Sequence, residues 1–151
     1  MLSRTLVLIS LSTGAVALTG CGNLGAIADI IDSTRETRVV LRNQGDFPVE
    51  VSLFYDNDQD TIDGLIQETG TERQFTIDDG LVESFSLDCD DLQAIIIDKA
   101  ELSIIGDIGP EESTSLLRDG SDFGCGDTVT FTFTHSDSLT DLMIDTNVTS
   151  E

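Results

Sequence analysis

The nine residues Asp127 to His135, "DTVTFTFTH", put Val129, Phe131, Phe133 and His135 on one side of an extended chain and Thr128, Thr130, Thr132 and Thr134 on the other. Successive side chains of a strand point to opposite faces, so this alternation predicts a strand with one buried and one wet face. A helix of 3.6 residues per turn would scatter the same apolar residues around its surface. β-branched and aromatic residues also favour strands, so composition and spacing agree.

Period two recurs from Arg35 onward. Over Pro48 to Tyr55, Val49, Val51, Leu53 and Tyr55 alternate with Glu50, Ser52 and Phe54. Glu36 to Asn43 precedes this strand, and the turn-like Gln44-Gly45-Asp46-Phe47 between them predicts a hairpin. Further strands are expected at Glu72 to Ile77, Leu81 to Leu87, Leu92 to Ile97 and Glu101 to Ile105, and at Leu142 to Val148, where alternation is less regular. Asp79-Gly80 lies between two of these and is a hairpin signal. Seven or eight short strands at roughly ten-residue intervals predict an all-β fold, an antiparallel β-sandwich for which immunoglobulin-like architecture is admissible. Asp107 to Gly126 is expected as a longer irregular loop.

The first residues follow another logic. Met1 to Arg4 is a short basic segment, and Leu6 to Leu18 is an uncharged run of 13 residues. That run suits a secretory signal and falls short of the roughly 20 residues of a membrane-spanning helix. It ends in Leu18-Thr19-Gly20-Cys21, which resembles the lipobox of bacterial lipoproteins position by position. The resemblance implies cleavage before Cys21, diacylglycerol on its sulfur, and an acyl chain such as palmitate on the new amino terminus. Two or more acyl chains hold a protein firmly to a bilayer, whereas one gives marginal binding. The implied location is the bacterial cell envelope. Gly22 stands where enteric-type inner-membrane retention uses aspartate, which favours the outer membrane. The expected organisation is a signal peptide over 1–20, a lipidated tether over 21–34 and an acidic sandwich domain over 35–151. Leu24, Ile27, Ile30 and Ile31 fall at helical spacing within the tether, allowing a turn or two of helix.

With Cys21 assigned to lipid, Cys89 and Cys125 remain as an even pair in an exported chain, where oxidation favours a disulfide. The bridge would pin the long loop to the end of the fourth strand. A zinc site is the competing use, but two thiols and the lone His135 leave a tetrahedral site one ligand short. The chain has no tryptophan to pack on a core disulfide of the immunoglobulin type.

The chain carries 29 Asp and Glu against 7 Lys and Arg, a net charge of −22 that removal of the signal peptide takes to −23. Such a field repels nucleic acid and anionic lipid surfaces. It suits a saline habitat, where screening weakens repulsion between carboxylates. One stretch has ligand-like spacing: Asp56, Asp58, Asp60 and Asp63 in "DNDQDTIDG" set carboxylates at alternating loop positions, as calcium loops do. It departs from the EF-hand pattern at Thr61 and Gln67, which replace the glycine and the bidentate glutamate. Nothing else calls for a cofactor. His135 is read as an edge-of-core residue, and no nucleophile elbow or phosphate loop is present. The expected function is a non-enzymatic structural or protein-interaction module, held to the membrane through Cys21 and meeting an envelope protein. A calcium-stabilised binding or adhesion module is the alternative, and a small hydrolase comes last.

Overall fold

The structure, a computed structural model, describes residues 35–104, 109–137 and 140–150. Cys21, the signal peptide and the helical turns expected in the tether lie outside these residues. Along the chain come β1 (Glu36–Asn43), β2 (Val49–Asp56), α1 (Ile66–Thr69), β3 (Thr71–Ile77), β4 (Val82–Asp88), β5 (Ala94–Leu102), β6 (Glu111–Glu112), β7 (Leu117–Arg118), β8 (Asp127–His135) and β9 (Leu142–Ser150). They form two sheets, β4-β1-β8-β9 (sheet A) and β3-β2-β5, with β6 and β7 on the free edge of β5 (sheet B). The β-sandwich expected from the alternation is therefore present. One pairing departs from the antiparallel rule: β1 runs parallel to β8, with Arg38 opposite Thr128 and Asn43 opposite Phe133.

The core lies where the inward positions of both sheets meet. Val39 and Leu41 of β1, Val49 and Leu53 of β2, Ile95 and Ile97 of β5, and Val129, Phe131 and Phe133 of β8 have no exposed surface. The threonines of β8 face outward, as the alternation requires. Across the middle of that outer face lie Arg38, Val40 and Arg42 of β1, Ser84 and Ser86 of β4, and Asp145 and Asn147 of β9. Glu36 of β1 and Asp88 of β4 lie at the margin of the same face.

Three expectations are corrected. First, neither turn predicted as a hairpin joins paired strands. Residues 44–48 carry the chain from β1 in sheet A to β2 in sheet B, and residues 78–81 carry it from β3 in sheet B to β4 in sheet A. Both turns are corners of the sandwich, and one buried residue holds them together. The Asn43 amide donates to the carbonyls of Phe47, Ile77 and Asp78 at 2.8, 3.0 and 3.2 Å, while its oxygen accepts from Gly45 N–H at 2.9 Å. A turn signal specifies reversal of direction; it does not specify which sheet receives the returning strand. Gly80 takes φ +69° at the second corner, a conformation that L side chains rarely adopt.

Second, the strands expected at Leu92 to Ile97 and Glu101 to Ile105 are one strand, β5. The register against β2 shifts at Ser52/Leu53, so Asp98 is an extra residue between Ile97 and Lys99. A bulge of this kind reverses the phase of the alternation, which made one strand read as two. Third, Phe54, expected on the wet side, does point away from the core but is only 9% exposed. Ile66 of α1 and Leu116 cover it together with Ala94 and Ile96 in a second small apolar cluster. Lys99, the chain's one lysine, bridges Glu101 and Glu111 at 2.7 and 2.8 Å and so fastens β6 to β5.

Candidate functional site

The strand directions gather three loops at one pole, the end at which the chain joins the sandwich. Residues 56–70 leave β2 there, residues 88–93 leave β4, and residues 118–127 lead into β8. Cys89 N–H donates to Arg35 O, Gln93 N–H to Asp56 O and Asp119 N–H to Gln93 O, each at 2.8 Å. The loops hold Asp56, Asp58, Asp60, Asp63, Glu68, Asp88, Asp90, Asp91, Asp119, Asp122 and Asp127. This is the largest concentration of ligand-type groups among the described residues.

Most of these carboxylates whose partners are seen hold backbone. Asp58 accepts from Asp60 N–H at 2.9 Å and Asp88 from Asp90 N–H at 3.0 Å, two turns in which an aspartate caps the amide two residues on. Asp122 accepts from Arg118 N–H and Asp127 from Gly124 N–H, at 2.8 and 2.7 Å. Among the alternating aspartates that read as a calcium loop, Asp58 thus has a local role. Asp56 points to Thr61 and Thr69, whose hydroxyls donate to one carboxylate oxygen at 2.9 and 2.8 Å. Asp63 points to Arg118, 3.6 Å away. The convergence of Asp56, Asp58, Asp60 and Asp63 on one point is not found: among the described residues no group of three or more His, Cys, Asp or Glu side chains is placed to hold a metal ion.

Asp56 is the one buried acid of the pole, 9% exposed. Burial pushes its carboxyl upward. Hydrogen bonds from Thr69, Thr61 and the backbone of Asn57 and Asp58 outweigh that and hold it below its ordinary value. It lines a polar recess of about 390 Å³ with Asn57, Thr69, Thr71 and Asp91. Arg118, which motif reading passed over, is the cation that closes the pole, donating to Thr61 O at 2.8 Å. Its only sequence signal was a base among acids in "LLRDG".

Cys89 and Cys125 form the expected disulfide, with Cα atoms 5.3 Å apart. Beyond pinning a loop, it connects the end of β4 to the start of β8, the two neighbours of β1. Thr37 of β1, buried beneath, donates to Gly124 O at 3.4 Å. His135 lies at the opposite pole. Its Nε2 accepts from Asp46 N–H and its Nδ1 meets Ser136 O, both at 3.0 Å, with the Phe47 ring at its edge. The imidazole thereby latches the first corner to the end of β8, and both ring nitrogens are engaged.

No family model matches the chain, and no curated protein matches it. Among solved structures it is similar to the NMR structure of a protein from Eubacterium rectale, at 13% identity over 76% of this chain and 90% of that one, TM-score 0.45. It is similar to the membrane-binding domain of pneumolysin at 10% identity over 78% of this chain and all of that one, TM-score 0.47. It is also similar to the type VI secretion lipoprotein TssJ1 from Pseudomonas aeruginosa, at 6% identity over 76% and 97% of the two chains, TM-score 0.41. Likenesses this distant assign no activity.

Proposed function

We propose that this chain is a lipid-tethered envelope protein whose β-sandwich serves as a non-enzymatic interaction module. The observation that carries the reading is the clamp around β1. The chain joins the domain at β1, which is paired on both edges, and a disulfide ties its two neighbours together just beyond the junction. A pull arriving through a lipidated Cys21 would spread over three strands and would not peel one away. The engagement of Asp56 and His135 in holding loops and corners also supports a binding role over a chemical one.

Growth of the native host with a labelled fatty acid tests the anchor. The full chain is expected to carry label and sediment with membranes, and Cys21→Ser to lose both; an unlabelled wild type removes the reading. Separation of the two membranes on a density gradient then tests the outer membrane as its location. Calcium titration addresses the alternative module. Under the reading proposed here the melting temperature stays unchanged at millimolar calcium, and a rise of several degrees would favour a calcium-stabilised domain.

A further inference from the structure

We infer that β9 is a docking edge for a second copy of this chain, paired strand to strand about a two-fold axis. β9 pairs with β8 over nine residues without a break in register, and among the described residues it has no ladder partner on its other edge. Such an edge offers a row of backbone donors and acceptors, and sheets usually protect it with charge, proline or a bulge. The other long edges are protected. β3 carries Arg73, opposite inward-facing Leu53 with its guanidinium over the Tyr55 and Phe85 rings, and β4 carries Glu83, opposite inward-facing Leu41. β9, "LMIDTNVTS", has one charge, no proline and no bulge.

The sequence of β9 also complements itself. Full antiparallel overlap of Leu142–Ser150 with its own copy centres on Thr146, and that register sets Ile144 opposite Val148 and Asp145 opposite Asn147 of the second copy. Both kinds of cross-strand pair are favourable, and the register sets Asp145 diagonal to its own copy, not directly opposite it. Ile144 and Val148 are half-buried at the margin of the core, so their pairing continues the core from one copy into the next. Charge selects the same seam. Two acidic chains repel wherever carboxylates meet, and of the three long edge strands β9 carries the fewest charged side chains, Asp145 alone, against Glu72 and Arg73 on β3 and Glu83 and Asp88 on β4. Closure about a two-fold yields a dimer and leaves no free β9 edge to propagate a fibre.

The full chain with Thr146→Cys, oxidised in native membranes, tests the register, because directly opposed residues have Cβ atoms about 4.5–5.5 Å apart. A reducible band at twice the chain mass is expected, and none from Thr130→Cys on the central strand. The detergent-solubilised full chain at 1 M NaCl, where the Debye length is about 3 Å, should sediment as a concentration-dependent dimer. Thr146→Lys should make it monomeric. Asn147→Lys, which faces Asp145 of the second copy at two places, should tighten the dimer about 2- to 30-fold, a gain that misfolding cannot imitate. A Thr146→Cys chain that stays uncrosslinked or joins a different protein, or an Asn147→Lys chain no tighter than wild type, overturns the inference.

Discussion

Asn43 is the residue on which the two corners depend, and its chemistry explains why an amide ends a strand of otherwise apolar inward positions. It is 1% exposed and satisfies four backbone groups from the two corner segments. Neither leucine nor aspartate can do so, since one has no polar atoms and the other cannot donate. Asn43→Leu and Asn43→Asp are each expected to lower stability by about 3 kcal/mol, read from urea unfolding midpoints. Gly45 depends on a neighbour instead. A Cβ there would lie 2.5 Å from His135 Cδ2, so Gly45→Ala should destabilise the chain but cost about 1 kcal/mol less in a His135→Ala background. Asp56 gives the pH dependence. Its carboxyl titrates below its ordinary value of 3.8 in the fold, so it contributes stability that is complete above that value and disappears as pH falls through the folded one. The stability difference between the chain and Asp56→Asn should be constant above about pH 5 and shrink below pH 4. Asp56 was legible in the sequence as the first carboxylate of a calcium-like spacing; its burial and its hydrogen bonds from Thr61 and Thr69, five and thirteen residues on, were not.

At the scale of elements, alternation was the dependable signal and it failed where the backbone broke phase. β8 and β2 appear where their alternation placed them. β5 was divided because the Asp98 bulge exchanges inward and outward positions in mid-strand. The Gln67 side chain of α1 donates to Asp98 and seats the bulge, a contact between residues 31 apart that no local pattern encodes. α1 itself, at four residues, is too short to carry a helical period. The disulfide was readable by counting cysteines, whereas its place across β1 was not. It closes a separation of 36 residues, and Cys89→Ala with Cys125→Ala should lower stability by about 3–4 kcal/mol through loop-closure entropy, measured by denaturant unfolding.

The whole molecule is governed by its charge. At −22 the folded chain repels itself, and compactness depends on screening. Raising NaCl from about 0.1 to 2 M should raise the melting temperature by at least about 5 °C, a response that neutral salt-insensitive sandwiches lack. The acids are not spread evenly. The loops of the proximal pole concentrate them, while the middle of the outer face of sheet A holds serine, threonine and arginine with Asp145, and Glu36 and Asp88 lie at its margin.

Period-two spacing by itself determined that this chain forms strands with one buried face, because side-chain direction in a strand is a local property of the backbone. Cysteine counting pointed to Cys89 and Cys125 as partners once the lipobox resemblance had set Cys21 aside. Only the tertiary structure decided that the two predicted hairpins are corners, that β1 lies parallel to β8, and that Asp56, Asp58 and Asp63 take separate partners: two threonine hydroxyls, a turn amide and Arg118. Those outcomes depend on which sheet a returning strand joins and on what backbone lies across from each side chain, and neither is recorded in the order of neighbouring residues.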